Sequence, residues 1–216
     1  MTRPDATPRH FSMIRGFQLA DFFTLGNAAC GVASVLLAMQ FLVSGNPLHF
    51  YWAALMAPLA GAFDVADGRV ARARQQHSAL GRELDSLADI ISFGVGPVAL
   101  GFAIGLRGGW DSLVMGYFVC CGVSRLARYN VTAESLSDGA DKVAYFEGTP
   151  IPTSILITGV LAAVAAGGGL GGLGGPGAAL PGGVWLIGPW QLHPLVALFA
   201  VSGTLMISKT LRIPKF

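Results

Sequence analysis

Six long apolar stretches, separated by short polar segments, constrain this chain more than any other feature of its sequence. They cover about residues 16–44, 48–74, 84–106, 112–128, 150–166 and 194–208. A bilayer core of about 30 Å takes roughly 20 apolar helical residues to cross. Only 12% of the residues carry charge, about half the fraction found in an ordinary soluble domain. The sequence therefore predicts an all-α integral membrane protein with six transmembrane helices.

The same composition excludes two other classes of protein. Disordered chains contain few apolar residues, whereas 53% of this chain is hydrophobic. Nucleic-acid-binding domains concentrate basic residues on one face or tail, whereas here the net charge is only +2 and the basic residues are dispersed. We therefore expect membrane lipid around the chain and no nucleic acid as a partner.

The basic residues predict how the six helices are oriented. Thirteen of the 14 Lys and Arg residues fall in the termini and in the loops after the second and fourth stretches, and Arg107 alone falls on the other side. Cytoplasmic segments of membrane proteins carry such an excess. We therefore expect a cytoplasmic segment 1–15, a transmembrane domain 16–208 and a cytoplasmic tail 209–216. The glycine-rich tract 167–183 is interpreted as part of an external loop over about 167–187, although it can instead extend the fifth helix.

Four aspartates lie at the facing ends of the second and third stretches. Asp64 and Asp67 share one helical face, and so do Asp85 and Asp89. A short loop between the stretches makes the helices antiparallel neighbours, so the four carboxylates are expected to point into one pocket. An ionisable group in a span costs about 2.5–3.5 kcal/mol, and clustered carboxylates repel each other unless a cation is bound. Their oxygens suit Mg²⁺ or Mn²⁺, and four carboxylates can hold two ions.

Small and basic residues accompany the aspartates. Gly68, Ala71 and Gly81 leave room for a bulky ligand beside the helix faces, and Arg72 can bind a phosphate through two parallel hydrogen bonds. Each aspartate alone also has a plainer interpretation, as a helix cap or a solvated group at the interface. The cost of placing four of them together in a membrane favours the metal site.

The spacing of these residues resembles the signature of the CDP-alcohol phosphatidyltransferase family at every fixed position: Asp64-x2-Asp67-Gly68-x2-Ala71-Arg72-x8-Gly81-x3-Asp85-x3-Asp89. The resemblance implies a six-helix transmembrane bundle, usually a homodimer, with two divalent metals in a site that faces the cytoplasm. It implies a reaction in which the hydroxyl of an acceptor alcohol displaces CMP from a CDP-linked lipid.

The resemblance also implies a role for each residue of the signature. The four aspartates would hold the metals, and Asp89 would also be the general base for the acceptor hydroxyl. The other residues of the signature would line the site of the CDP-lipid; they are Gly68, Ala71, Arg72 and Gly81. Asp67, Asp85 and the nearby Ser78 would line the same site.

Three further stretches resemble the branch of the family that contains bacterial membrane-type phosphatidylserine synthases. They are residues 24–31, 124–130 (SRLARYN) and 145–152 (YFEGTPIP). One departure is Ala20-Asp21, where the family usually has Pro-Asn, so nucleotide contact from this stretch is expected to differ. The branch resemblance implies CDP-diacylglycerol and L-serine as substrates, phosphatidylserine and CMP as products, and a bacterial inner membrane as the location.

A site for the serine carboxylate is expected near the start of the fifth helix. Thr149 is a candidate N-cap before Pro150, and a helix N-terminus offers free N–H groups to an anion. Arg125 and Arg128 share one helical face and can bind the same anion. The plainer alternative is that both arginines flank a span, as the positive-inside rule predicts.

Other functions stay open at this point. The same chemistry can use glycerol phosphate, inositol phosphate or another alcohol as the acceptor. Four carboxylates can also line a divalent-cation transporter, although no charged relay continues into the apolar outer halves of the spans. A third alternative is a non-catalytic scaffold derived from an enzyme, against which the complete aspartate set argues. The enzyme is the favoured interpretation.

Overall fold

The computed structural model describes residues 19–74, 79–137, 145–169, 180–208 and 212–214. These ranges are mostly helical. The helices are α1 (Leu19–Ser44), α2 (Pro47–Arg74), α3 (Ala79–Asp89), α4 (Gly96–Ile104), α5 (Gly109–Ser137), α6 (Ile155–Val164) and α7 (Ala197–Ile207). The strands have three residues each and are β1 (Tyr145–Glu147), β2 (Trp185–Ile187), β3 (Trp190–Leu192) and β4 (Arg212–Pro214).

Short helical turns of other types join or extend these helices. A π-helical turn, Ile90–Val95, links α3 directly to α4, and another, Ala165–Gly169, continues α6. The 3₁₀ turns Ile151–Ser154 and Pro194–Val196 lead into α6 and α7. The described residues therefore form six continuous helical units at the places of the six apolar stretches.

Three of these units are long and apolar enough to cross a membrane: Leu19–Ser44, Leu80–Ile104 and Ile151–Gly168. Pro194–Ile207 is apolar but shorter. The structure thus agrees with a helical membrane protein, while the count of six spans stays a prediction.

A tight turn places α1 antiparallel to α2. Gly45 has a φ of 71°, a left-handed conformation that glycine adopts without steric cost. Asn46 Oδ1 then accepts a hydrogen bond from the backbone N–H of Leu48 at 3.0 Å, in the first turn of α2. Farther along, the two helices are joined by a hydrogen bond from Ser34 Oγ to the carbonyl of Ala53 at 2.9 Å.

The π-helical turn lies at the centre of the packing, directly after Asp89. Ser92 Oγ donates to the carbonyl of Asn27 on α1 at 2.7 Å, and Ser154 Oγ donates to the carbonyl of Phe93 at 2.7 Å. Gly31 permits this contact, because a Cβ there would lie only 2.7 Å from Ser92 Cα. π-helical turns are rare and often occur at functional sites, and this one fixes where α3 ends.

A β-hairpin that the sequence did not predict lies at the end of the bundle where α5 begins. β2 pairs with β3 in antiparallel register, and Trp110 at the start of α5 donates from Nε1 to the carbonyl of Ile187 at 2.9 Å. β1 also pairs with β4. These three-residue strands are small additions to a fold that is otherwise helical, as the all-α prediction expects. In the predicted external loop, the turn that follows α6 is kinked at Gly168, which has a φ of 101°, and residues 170–179 lie outside the described residues.

Candidate functional site

Three of the predicted metal-binding aspartates come together at one end of the bundle, here called the site end. One carboxylate oxygen from each of Asp64, Asp67 and Asp85 lies within 4.8 Å of the other two. The last turns of α2 supply Asp64 and Asp67, and α3 supplies Asp85. Asp67 is buried and the other two are half-buried.

This acidic cluster fits a divalent cation. Carboxylates this close repel one another when no cation lies between them, and grouped hard oxygens are what divalent metals such as Mg²⁺ bind. Asp85 Oδ1 is buried and accepts no hydrogen bond from the residues described, so an acceptor is left over for an ion. The oxygens could hold a divalent metal and do not select which metal that would be.

Asp89 lies one turn beyond Asp85, beside the acidic cluster. Its side chain is 6% exposed, and Asn27 Nδ2 on α1 donates to its Oδ1 at 3.1 Å. It interacts electrostatically with Asp85 and Asp64. The fourth predicted aspartate is thus held next to the other three, with a hydrogen-bond partner that they do not share.

Helix α1 contributes residues that sequence reasoning did not assign to the site. Thr24 Oγ1 donates to Asp67 Oδ2 at 2.9 Å, and Asn27 binds Asp89. Asp21 is also buried and interacts electrostatically with Asp67. The signal was the spacing of these three polar residues, every third position along an apolar helix, which places them on one face. Polar residues in a span usually face the interior and mark function.

Arg125 is a predicted acceptor-site residue that interacts with an aspartate of the site. Its half-buried side chain comes from α5 and interacts electrostatically with Asp89. Its Nε is buried and unpaired in the described part of the chain. Arg128, one turn farther on, is exposed, so the two arginines are not equivalent.

Thr149 is not the N-cap that the sequence predicts. Pro150 occupies that position with extended backbone angles (φ −65°, ψ 147°), and the helical turn begins at Ile151. The physical reason is that the extended proline delays the helix, whose first turn is then closed by Thr153 Oγ1 donating to the carbonyl of Pro150 at 2.8 Å. Thr149 Oγ1 is buried and finds no hydrogen-bond partner within the described ranges.

The remaining signature residues flank the acidic cluster. Gly68 follows Asp67 on α2, Gly81 lies in the first turn of α3, and both are half-buried. Ala71 and Arg72 belong to the last turns of α2, but their side chains are not among those described, and Ser78 lies outside the described residues.

Asn130, from the SRLARYN stretch, connects α5 to α3. Its Nδ2 lies 3.0 Å from Ser86 Oγ and 3.2 Å from Glu83 Oε1 and donates to both. This link holds the helix that carries Arg125 against the helix that carries Asp85 and Asp89.

Buried polar atoms without partners mark the site end. Among the residues described, five side-chain atoms are buried and make no hydrogen bond: Asn27 Oδ1, Arg82 Nε, Asp85 Oδ1, Arg125 Nε and Thr149 Oγ1. Buried polar atoms are nearly always paired, so an unpaired group calls for an explanation such as a missing ion or ligand. Three of the five, Asn27 Oδ1, Asp85 Oδ1 and Arg125 Nε, belong to side chains that interact with the aspartates of the site or are among them.

The sequence is similar to those of several known proteins. Residues 17–204 match the sequence profile of the CDP-alcohol phosphatidyltransferases. The CDP-diacylglycerol–serine O-phosphatidyltransferase of Saccharomyces cerevisiae is 40% identical over 209 residues, which are 95% of this chain and 74% of that protein.

Two prokaryotic relatives match a shorter region. The archaetidylserine synthase of Methanothermobacter thermautotrophicus is 34% identical over 139 residues, 63% of this chain and 54% of that protein. The CDP-diacylglycerol–serine O-phosphatidyltransferase of Mycobacterium bovis is 35% identical over 136 residues, 61% of this chain and 46% of that protein. The chain thus spans about half the length of these two relatives. The profile match covers most of the chain and includes the whole acidic cluster, so the chain belongs to the CDP-alcohol phosphatidyltransferase family.

Proposed function

We propose that this chain transfers the phosphatidyl group of CDP-diacylglycerol to the hydroxyl of L-serine, forming phosphatidylserine and CMP. The observation that carries the proposal is the acidic cluster of Asp64, Asp67 and Asp85 at the site end, which suits the binding of a diphosphate through metal ions. The yeast and mycobacterial relatives are named for transfer to serine, which supports serine as the acceptor.

We infer that the site takes two divalent ions, Mg²⁺ or Mn²⁺, held by Asp64, Asp67, Asp85 and Asp89. The ions would stabilise negative charge on the transferring phosphoryl group and on the leaving CMP. The protein's contribution is to orient the carboxylates, as Thr24 does for Asp67. Such supporting hydrogen bonds tune metal affinity.

Asp89 is the proposed general base. The serine hydroxyl gives its proton to the Asp89 carboxylate while its oxygen forms a bond to the β-phosphorus of the CDP-lipid. The bond from that phosphorus to the bridging oxygen breaks, and CMP leaves with the electron pair. Asn27 Nδ2 donates a hydrogen bond to Asp89 Oδ1. This bond orients the carboxylate and leaves Asp89 Oδ2 for the serine hydroxyl.

The substrates would surround these aspartates. Gly68, Ala71, Arg72, Ser78 and Gly81 would lie along the CDP part of the lipid with Asp67 and Asp85, as the family signature implies. Arg125 would bind the serine carboxylate, and its electrostatic interaction with Asp89 supports this. Arg128 and Thr149 are the further candidates for the serine site.

The proposed topology has six spans, both termini in the cytoplasm and the site facing the cytoplasm. Its support is the distribution of Lys and Arg. A homodimer is proposed from the family resemblance. A bacterial inner membrane stays a prediction, because the relatives include yeast, archaeal and mycobacterial proteins.

A divalent-cation transporter is the competing function, and the placement of carboxylates argues against it. The clustered aspartates all lie at the site end. At the opposite end Asp111 is fully buried and engaged with His193. An ion path through the bundle would require carboxylates that are available to ions at intermediate depths.

The test is an assay on the purified full-length chain in detergent, with CDP-diacylglycerol, a divalent metal and a panel of acceptor alcohols. We expect CMP release with L-serine and Mg²⁺ or Mn²⁺, formation of phosphatidylserine, and loss of both in Asp89→Asn. CMP release with glycerol phosphate or inositol phosphate, but not with serine, would show that serine is not the acceptor and would identify the acceptor alcohol instead. A folded protein that releases no CMP with any acceptor would refute the proposed chemistry.

A further inference from the structure

Asn27 carries an unpaired polar atom beside the proposed base. Its side chain is completely buried, at 0% exposure. Nδ2 donates to Asp89 Oδ1 at 3.1 Å, but Oδ1 is buried and receives no hydrogen bond from any residue that the structure describes. A buried acceptor without a donor is costly in stability, so this unpaired oxygen points to a ligand that donates a hydrogen bond.

The orientation of this amide follows from its neighbours. An ionised carboxylate only accepts hydrogen bonds, so the NH₂ group of Asn27 must face Asp89 and the oxygen must face away from it. The backbone of Asn27 is fixed as well, since its carbonyl accepts a hydrogen bond from Ser92 Oγ at 2.7 Å. The unpaired oxygen is therefore held in place before any substrate binds.

The position of Asn27 beside the proposed general base favours the acceptor substrate. Its partner Asp89 must meet the acceptor hydroxyl, and it is the aspartate outside the group of Asp64, Asp67 and Asp85. Oδ1 and Nδ2 of Asn27 belong to one carboxamide, and Nδ2 contacts Asp89, so a group bound at Oδ1 lies a few ångströms from the Asp89 carboxylate. In an amino alcohol such as serine, the hydroxyl and the ammonium group are on adjacent carbons. A hydroxyl at Asp89 and an ammonium group at Asn27 Oδ1 can therefore belong to one such molecule.

We propose that Asn27 binds the ammonium group of the acceptor and selects an amino alcohol over a simple alcohol or polyol. This inference rests on the proposed function and deepens it. A carboxamide oxygen among carboxylates suits an ammonium group, which offers three donors and a positive charge. Arg125, which also interacts with Asp89, lies where it can take the carboxylate at the other end of the same small molecule.

The first test uses the wild-type protein. L-alanine has the ammonium and carboxylate groups of serine but no hydroxyl, and propanoate has only the carboxylate. We expect L-alanine to inhibit transfer to L-serine about tenfold or more better than propanoate, as loss of a hydrogen bond to a charged group predicts. Equal inhibition by the two compounds would overturn the proposal without any variant.

The second test compares acceptors in Asn27→Leu, with Asn27→Ala in case the first variant does not fold. The measured quantity is kcat/KM for L-serine divided by kcat/KM for 3-hydroxypropanoate, which lacks the ammonium group. Both acceptors need Asp89, so damage to the base cancels in the ratio. We expect the preference for serine to fall about 10- to 100-fold, with the KM of CDP-diacylglycerol unchanged.

Ser34→Ala is the matched control, because Ser34 is buried on the same face of α1 but donates to the carbonyl of Ala53. It should keep the wild-type preference. A lower kcat in the Asn27 variants with an unchanged ratio would mean that Asn27 only positions Asp89. A raised KM for the CDP-lipid, or a raised metal requirement, would assign the oxygen to the nucleotide or to an ion. Failure of the proposed function differs from all of these, since the wild type would then release no CMP with serine.

Discussion

Replacing Gly31 by alanine tests whether the close approach of α1 to the π-helical turn holds the site together. The added Cβ would lie 2.5 Å from Ser92 Oγ, 2.7 Å from Ser92 Cα and 2.8 Å from Ser92 N. Two of these atoms belong to the backbone, which a change of rotamer does not move. Heavy atoms in contact settle at about 3.5–4.0 Å, so α1 and the turn must separate by about 1 Å.

Such a separation would disturb the site directly. The bond from Ser92 Oγ to the Asn27 carbonyl is 2.7 Å long and that from Asn27 Nδ2 to Asp89 Oδ1 is 3.1 Å. Lengthened by about 1 Å, both leave the range of hydrogen bonds. A misplacement of about 1 Å at a catalytic site can cost about 100-fold in rate, and overpacking costs about 1–3 kcal/mol in stability. We expect Gly31→Ala to fold and to lose about 100-fold in kcat.

The assay is CMP release by purified protein whose folded fraction is measured by size-exclusion chromatography in detergent. Gly116→Ala on α5 is the matched control, because an added Cβ there meets nothing within 4 Å in the described structure. It should keep wild-type activity and gain about 0.5–1 kcal/mol, as alanine does over glycine inside a helix. Wild-type kcat in Gly31→Ala would refute the coupling between this contact and catalysis.

Two further variants test the ends of the bundle separately. Thr24→Val removes the hydrogen bond to Asp67 and should raise the Mg²⁺ concentration for half-maximal activity about 10-fold or more, as loss of a supporting partner does; an unchanged metal requirement would contradict this. Asp111→Ala leaves the N–H groups of Gly108 and His193 without their acceptor and should lower the free energy of unfolding by about 2 kcal/mol or more. The folded fraction should keep its kcat, and an unchanged Tm would show that these bonds add no stability.

The helical units could be located along the chain because each one coincides with an apolar stretch, whose place and length can be read from the sequence. The π-helical turn could not, since it depends on which face of α1 reaches Ser92 and on the absence of a side chain at Gly31. The β2–β3 hairpin also could not be predicted from the sequence. Its residues, from Trp185 to Leu192, are mostly apolar, so the alternation that signals a strand is absent. In the structure Gly188, with a φ of 62°, lies in the turn.

The site was predictable in the part that local periodicity determines. Asp64 and Asp67 share a face of one helix, and a short connection brings the neighbouring helix with Asp85 against them. The contribution of α1 to the site depends on packing between elements far apart in the chain. The sequence alone therefore could not place Thr24 and Asn27 beside specific aspartates. Thr149 shows the opposite error, because a local capping rule gave way to the extended backbone of Pro150.

Buried carboxylates at the two ends of this bundle differ in how the protein satisfies them. At the far end Asp111 accepts hydrogen bonds from the N–H groups of Gly108 and His193, each at 2.8 Å, and contacts the His193 ring.

At the site end, by contrast, Asp85 Oδ1 is left unpaired by the described residues. A carboxylate that serves only stability gains from every donor it can find, and Asp111 has that pattern. Carboxylates kept close together with acceptors to spare raise the energy of the empty site, which binding of a cation and its substrate then lowers. This contrast within one chain supports the proposals that Asp111 serves stability and that the aspartates of the acidic cluster bind a cation.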